Sequence, residues 1–187
     1  MNGFRKVLMT LGILLIAAGA VITVLNAGKE KKIAIDREEA LAFLKERIPS
    51  EKKGFKEERA TMAMPLLSCE GVDYAALFSY PRFSVELPVA AVWDTDLVRE
   101  TPCRFTGRPY DGTLVIGGTF DFIDSVDIGD EMTVTDLQGY AFTYRVTSVL
   151  HSKSASASKL TGGNADLTFF SRSDKGREYL LVRCSLV

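Results

Sequence analysis

The sequence predicts a mainly β domain, a closed or partly closed barrel of about seven to eight strands, behind an N-terminal transmembrane helix. From about residue 62 onward, short segments of strand-like composition follow one another, separated by turn residues and with little helical pattern. Many strands with little helix favour a barrel, because closure removes exposed strand edges. Ahead of them, residues 7–28 carry no charged side chain and are long enough to cross a bilayer as a helix.

The composition limits the classes of protein and partner. The chain has 187 residues, of which 47% are hydrophobic and 25% charged, so it suits one main folded domain and is not of disordered composition. Its formal net charge is −1, without a long basic run beyond the N-terminal region, which argues against a nucleic-acid partner. Three cysteines and the single His151, expected in a solvated loop, match no metal-ligand spacing. We expect no metal and no cofactor.

Residues 1–28 are predicted to be an uncleaved signal anchor. Arg5 and Lys6 precede the uncharged run and favour a cytoplasmic N-terminus. A cleaved signal peptide is the alternative, because Ala18 and Ala20 are small enough for a cleavage site. The length of the run favours the anchor, since it exceeds the usual core of a signal peptide. Either interpretation makes the rest extracytoplasmic, and the anchor makes the chain a single-pass plasma-membrane protein.

Residues 29–61 are predicted to form a short juxtamembrane helix and a charged linker. Asp36 and Glu39 have the spacing of a capping box, and Pro49 ends the helix. Residues 50–59 are rich in Lys and Glu and are predicted to be a solvated connector. The helix would pack on the following domain through apolar residues that recur at helical spacing: Ala40, Leu41, Leu44 and Ile48.

The barrel domain, residues 62–187, contains seven predicted strands. The hairpin 131–149 has the clearest local pattern, because Gly139 can supply the positive φ of a tight turn between two strand segments. The predicted strands are 74–79, 86–93, 113–117, 131–136, 142–149, 166–172 and 176–184.

The last two predicted strands resemble a known family. Asp166-Leu-Thr-Phe-Phe-Ser-Arg172, followed by Gly176-Arg-Glu-Tyr-Leu-Leu-Val-Arg-Cys184, is similar to the closing strands of the sortases, the membrane-anchored cysteine transpeptidases of Gram-positive bacteria. The resemblance covers about residues 64–187 and implies a sortase-like barrel of the clostridial type. Earlier segments resemble sortase motifs in the same order: Leu87-Pro-Val89, Trp93 with Thr101-Pro-Cys-Arg-Phe105, Val115-Ile-Gly-Gly-Thr119, Ile128-Gly-Asp-Glu-Met-Thr-Val134 and Gly139-Tyr-Ala-Phe-Thr-Tyr-Arg-Val146.

The same resemblance implies that the catalytic set of the family is missing. Sortases use a cysteine nucleophile, a histidine that donates a proton, and an arginine that stabilises the developing oxyanion. The matching positions hold Arg172, Thr119 and Tyr179, respectively. A guanidinium cannot be deprotonated to attack a carbonyl, and a threonine hydroxyl has no proton equilibrium near neutral pH. We therefore expect no catalytic residue at these positions.

The remaining nucleophiles offer no evident replacement. Cys69 and Cys184 are expected to be buried in apolar surroundings. Cys103 either stays free or forms a disulfide with Cys184. Ser171 neighbours the nucleophile position, but strand alternation points its side chain to the opposite face.

Arg172 has two interpretations. It is either a solvated side chain at a strand end, tolerated in an unused groove, or the centre of an anion or carboxylate site. Arg177 lies two positions before Tyr179 and would share its face if the strand begins early enough. The candidates for groove binding are therefore Arg172, Arg177, Tyr179 and Thr119. Trp93 is expected in the core rather than as a platform for a ligand.

The function predicted from these residues is that of a sortase-like pseudoenzyme, a binding or accessory module at the cell surface. Its partner would be a sorting-signal peptide or a cell-surface protein. An active sortase-type transpeptidase, attaching surface proteins to the cell wall or a pilus through a non-obvious nucleophile, is the alternative. A third class is a structural component of pilus or envelope assembly without a peptide-binding groove.

Overall fold

The computed structural model describes residues 37–54, 63–173 and 177–187. Residues 37–187 form one compact unit. The predicted signal anchor, residues 1–28, lies outside the described residues, as do residues 55–62, which include the second half of the predicted connector. No helix within the described ranges has the length and apolar character needed to span a bilayer.

The described part of the chain is built mainly from β-strands that close into a ring. Eight strands follow one another in the order β3-β4-β5-β6-β9-β10-β8-β7, and β7 pairs again with β3. The two remaining strands lie outside the ring, β1 beside β8 and β2 beside β3. The predicted closed barrel of seven to eight strands is therefore confirmed. The strands are β1 (Lys52–Lys53), β2 (Leu67–Cys69), β3 (Val72–Tyr80), β4 (Val85–Ala90), β5 (Cys103–Thr106), β6 (Leu114–Gly117), β7 (Glu131–Asp136), β8 (Tyr140–Ser152), β9 (Leu167–Arg172) and β10 (Tyr179–Leu186).

The β7–β8 hairpin confirms the clearest local prediction. Gly139 occupies the turn with φ of +85°, a conformation that costs glycine little. Asp136 fixes the same turn, because its Oδ1 accepts hydrogen bonds from the backbone N–H groups of Gln138 and Tyr140, each at 2.8 Å. The second strand runs further than predicted. His151 pairs with β10 and is a strand residue, so its assignment to a loop was wrong, although its side chain is solvated.

The N-terminal part of the described chain holds one helix, α1 (37–47). Ala40 and Leu44 are buried against Tyr74 of β3, as the predicted apolar stripe requires. Lys52–Lys53, within the predicted solvated connector, is exposed, and its backbone forms β1 and pairs in parallel with Tyr140 and Ala141. This strand forms because Lys52 N–H donates to the Gly139 carbonyl at 2.7 Å, a backbone pairing that side-chain pattern does not reveal.

Short helical segments occupy the connections. The helix α2 (Ala157–Leu160) lies between β8 and β9. Single 3₁₀ turns are formed by Pro81–Phe83, Leu97–Arg99, Pro109–Asp111 and Ile123–Ser125.

Two apolar clusters lie on opposite faces of the β6–β9–β10 part of the ring. The inner cluster fills the barrel and includes Phe78, Ile116, Phe169 and Cys184. The smaller outer cluster combines buried residues with partly buried ones packed against them, and we call it the outer cluster below. Its members are Val115, Leu160, Phe170 and Leu181, with Trp93, Phe105, Ala155 and Tyr179 around them.

Candidate functional site

A cavity of about 580 Å³ opens beside the outer cluster, at the carboxyl ends of β6 and β9. It brings together Thr119, Arg172 and Tyr179, three of the residues proposed from sequence for groove binding. Its volume is within the range of about 300–1,000 Å³ that is usual for ligand sites. The cavity is therefore the candidate functional site of the chain.

Strand alternation on β9 decides which side chains reach the cavity. Phe169 packs inside the barrel and Phe170 outside it. Ser171 is 2% exposed, and its Oγ accepts a hydrogen bond from the Phe120 backbone N–H at 3.3 Å. Arg172 is exposed and shares the outer side with Phe170. The prediction that Ser171 and Arg172 point to opposite faces is confirmed.

Backbone pairing places Thr119 at the same cavity. Gly117 lies opposite Phe170 in the parallel β6–β9 pair. The pairing continues past the end of β6, because Gly118 N–H donates to the Phe170 carbonyl at 3.2 Å. Thr119 follows at once and is exposed at the cavity rim. The parallel pairing of β6 and β9 therefore brings Thr119 to the same cavity as Arg172, although the two residues are far apart in the sequence.

Tyr179 and Arg172 are direct neighbours across β9 and β10. They are paired in the antiparallel register, and the Arg172 guanidinium carbon lies 5.8 Å from the centre of the Tyr179 ring. This is a cation–π distance. Arg177 is exposed and precedes β10, which begins only at Tyr179. It is not among the described residues that line the cavity, so the structure does not bring Arg177 to the other three.

One wall of the cavity is the β4–β5 connection, residues 91–102. Asp94 Oδ1 accepts hydrogen bonds from the backbone N–H groups of Asp96 and Leu97, each at 2.8 Å. The bond from Leu97, and then that from Asp96, lowers the pKa of the Asp94 carboxyl. These bonds hold the chain just ahead of the 3₁₀ turn Leu97–Arg99, which brings Val98 and Arg99 to the cavity. The wall is therefore shaped by a local Asx turn.

The floor of the cavity is aromatic. Trp93 stacks on Phe170 with ring centres 5.6 Å apart, and Phe105 meets both rings edge-on, at 5.4 Å and 6.1 Å. Gly117 makes room for this arrangement, because a Cβ there would lie 2.5 Å from atoms of both Trp93 and Phe170. Trp93 packs in an apolar cluster as predicted, but it also lines the cavity, which the prediction of a core role missed.

A second cavity of about 500 Å³ lies at the other end of the same two strands. Leu160 and Val115 of the outer cluster line it, and both are almost fully buried. Much of its lining comes from the segment Leu160–Asp166 and from Gly107 and Gly112. Glycine-rich walls expose backbone groups rather than bulky side chains. The two cavities lie at opposite ends of the outer face of β6 and β9, and we call this face with its two cavities the groove.

The three thiols lie away from both cavities. Cys184 packs inside the barrel, Cys103 is buried on β5, and Cys69 is half-buried on β2. All three are free. Of the two alternatives for Cys103, a free thiol or a disulfide with Cys184, the structure has the free thiol. Burial raises the pKa of all three thiols, and for Cys69 the nearby Glu70 contributes as well. Each thiol is therefore kept protonated near neutral pH.

The described lining of the cavity contains cations, hydroxyls and aromatic rings, without a thiol or an imidazole. Within the described ranges, three His, Cys, Asp or Glu side chains are nowhere grouped closely enough to hold a metal ion. Such a set can bind an anion and an apolar group, and it offers no nucleophile that is activated at neutral pH.

Sequence reasoning missed part of this lining. No sequence pattern predicts the positions of Val98 and Arg99, because they lie in an irregular segment whose path is determined by tertiary contacts. The available signal was Asp94, which precedes Asp96 at the two-residue spacing of an Asx turn. Ala155 joins the lining from the β8–β9 connection, for which the sequence shows no comparable signal.

Solved structures of similar fold are sortases. A sortase D5 transpeptidase of Clostridium perfringens is 21% identical with a TM-score of 0.53, over 62% of this chain and 79% of that one. A lid mutant of sortase A from Corynebacterium diphtheriae is 25% identical with a TM-score of 0.53, over 60% and 69%. Sortase C1 of Streptococcus agalactiae, in complex with MTSET, is 18% identical with a TM-score of 0.54, over 61% and 69%. No protein-family model and no curated protein matches the chain.

Proposed function

We propose that this chain, which has the sortase fold, is a binding or accessory module that has lost transpeptidase chemistry. One observation carries the proposal. The three positions that match the sortase Cys, His and Arg lie at one cavity, where they hold Arg172, Thr119 and Tyr179. A guanidinium, a hydroxyl and a phenol can bind a ligand there, but they do not supply a nucleophile and a proton donor for acyl transfer.

The state of the cysteines supports this proposal. None of the three thiols lines the cavity, and burial holds the pKa of Cys103 and Cys184 above the ordinary value. A thiol that acts as a nucleophile needs a lowered pKa and access to its substrate. Neither condition is met by these two residues, which weakens the alternative of an active transpeptidase.

The proposed ligand is a peptide, either a sorting-signal segment or part of a cell-surface protein. The groove supports this, because one of its cavities has an aromatic floor and the other is partly lined by glycine-rich backbone. An extended peptide rises about 3.3 Å per residue, so five or six residues match the length of β9, Leu167–Arg172. The groove could therefore hold a short extended segment.

The first test measures binding and cleavage in the same samples. We expect the full chain, held in a non-ionic detergent, to bind peptides of the L-P-x-T-G type by calorimetry and to leave them uncut by mass spectrometry. Iodoacetamide should label Cys103 and Cys184 slowly at neutral pH, because both thiols are buried. Single Cys→Ala variants at 69, 103 and 184 serve as controls.

Cleavage that disappears in one of these variants would overturn the proposal and identify a nucleophile. The absence of both binding and cleavage would instead favour a structural component of pilus or envelope assembly. That outcome predicts a stable protein partner, which crosslinking on intact cells would detect.

We also propose that residues 1–28 anchor the domain in the plasma membrane, with the barrel outside the cytoplasm. The support is the uncharged run 7–28, preceded by Arg5 and Lys6. We expect the full chain to sediment with membranes at its unprocessed mass, and added protease to reach the barrel on intact protoplasts. Release of a shortened chain into the medium would show a cleaved signal peptide instead.

A further inference from the structure

The cavity at the carboxyl ends of β6 and β9 carries two positive charges. Arg172 extends from the end of β9 and Arg99 from the wall formed by residues 91–102. The described residues that line the cavity include no Asp and no Glu. Arg99 lies 4.0 Å from Asp96, but both side chains are more than three-quarters exposed, so this ion pair is weak. Asp94, Asp96 and Glu100 belong to the same wall but do not line the cavity, so the charged side chains that line it are both cationic and can bind a negatively charged group.

The Arg172 guanidinium is suited to a planar anion. Its contact with Tyr179 is through the ring, at 5.8 Å from the ring centre. A guanidinium over an aromatic ring keeps its N–H groups at the edge of its plane, where they can donate two parallel hydrogen bonds. A carboxylate accepts such a pair, whereas an amide cannot accept both bonds. The side chain can thus distinguish Glu or Asp from Gln or Asn.

The aromatic floor adds a second requirement. Trp93, Phe105 and Phe170 form a continuous set of rings within 6.1 Å of one another, and Trp93 is only partly buried. Phe170 is buried, so an apolar or aromatic side chain would gain by covering the exposed parts of the Trp93 and Phe105 rings. A ligand that carried only a charge would leave this surface in contact with water.

The groove has a second cavity beyond the charged one. Its position indicates whether the ligand's carboxylate belongs to a side chain or to a chain end. The second cavity lies at the opposite ends of the same strands, where the outer cluster contributes the buried residues Val115 and Leu160 to its wall. A peptide lying along β6 and β9 would pass through both cavities. Its carboxylate would then come from a side chain of a continuing chain rather than from the chain end.

We propose that this groove binds an extended acidic peptide segment. A Glu or Asp side chain of the segment binds Arg172, supported by Arg99, and an apolar or aromatic side chain two positions away packs on the Trp93 floor. The spacing follows from the extended backbone, in which side chains two positions apart lie on the same side. This rests on the proposed function, since it requires a groove that binds a peptide and does not cleave it.

The probe is the peptide acetyl-Gly-Phe-Ser-Glu-Gly-Ser-amide, in which both termini are neutral. Binding to the full chain in non-ionic detergent is followed by the emission of Trp93, the single tryptophan. The Glu→Gln peptide should bind at least about tenfold more weakly, the typical effect of one charge-assisted hydrogen-bonding pair. The Phe→Ala peptide should also bind more weakly, because the floor is left uncovered.

Variants of the chain assign the effect to Arg172. Arg172→Gln should weaken binding of the Glu peptide about tenfold or more and should leave the Gln peptide little changed. Arg172→Lys should lie between, since an ammonium keeps the charge and loses the planar fork. Arg145→Gln is the matched control, because Arg145 pairs with Glu131 on β7, is not among the cavity-lining residues, and carries the same charge.

Equal affinity for the Glu and Gln peptides would overturn the proposal, and so would an equal effect of Arg145→Gln and Arg172→Gln. If a free C-terminal carboxylate on the Gln peptide restored binding, the cavity would recognise the carboxylate of a chain end and not that of a side chain. Stronger binding of a single-stranded oligonucleotide would also contradict it. Mass spectrometry of the same samples separates the two proposals, because cleavage refutes the proposed function and lost charge selectivity refutes only this inference.

Discussion

Asp136→Ala is expected to lower the free energy of unfolding by about 3–5 kcal/mol, because it leaves three hydrogen-bond donors without their acceptor, at about 1–3 kcal/mol for each one that stays unsatisfied. Asp136 has no exposed surface and ends β7. Its carboxylate accepts a hydrogen bond from the Tyr110 hydroxyl and two more from the backbone of the β7–β8 turn. The substitution removes the acceptor that these three donors share, in a place that water reaches poorly.

The measurement is denaturant unfolding of the full chain in non-ionic detergent, followed by Trp93 emission. Tyr110→Phe is the matched control, because it removes one donor and leaves the carboxylate with its two backbone partners. We expect this control to lower the free energy of unfolding by about 1–2 kcal/mol. If Tyr110→Phe were as damaging as Asp136→Ala, the turn would not depend on the carboxylate.

Gly107→Ala is expected to destabilise the barrel by about 3 kcal/mol or more, the combined effect of an unfavourable backbone conformation and a steric clash. Gly107 follows β5 and has a φ of +74°. A Cβ at this position would lie 2.0 Å from the Thr113 carbonyl oxygen, which belongs to the backbone and cannot rotate away. The segment before β6 would have to move.

Gly71→Ala separates the two causes of this effect. Gly71 has a similar φ of +83°, but nothing lies within 4 Å of a Cβ added there. Gly71→Ala should therefore lower the free energy of unfolding by only about 1 kcal/mol, the effect of placing alanine at a positive φ. Thermal unfolding of both variants beside the wild type gives the difference. Equal losses of stability would mean that the backbone near Thr113 relaxes and the clash is absent.

Local sequence pattern predicted the parts of the fold that local interactions determine. The hairpin 131–149 and helix α1 follow from alternation, a turn glycine and an apolar stripe, and both are present. The strand predicted over 86–93 ends at Ala90, where the chain turns to pair in parallel with Cys103. Such pairing between distant segments leaves little trace in a short sequence window.

The shortest strands could not be predicted for the same reason. β1 consists of two lysines whose backbone joins β8, and β5 has only four residues between turns. Their side chains do not alternate over a sufficient length, so only the completed sheet defines them.

The candidate site was predictable to the extent that motif positions lie on regular strands. Arg172 and Tyr179 are adjacent because β9 and β10 are antiparallel neighbours, and Thr119 follows the end of the parallel β6. Arg177 depends on where β10 begins, which the side-chain pattern leaves open. Arg99 depends on the path of an irregular wall. The positions of Arg177 and Arg99 could therefore be established only from the structure.

The closure between β3 and β7 has a consequence for how the chain folds. The seam pairs Ala76 with Asp136 and Ser79 with Thr133, residues about 54–60 positions apart along the sequence. Contacts of such long range form late and slowly, because the intervening loop must lose its entropy before they form. Until then the sheet is open, and both β3 and β7 present unpaired backbone. Nascent chains at high concentration are expected to pair through these edges and aggregate.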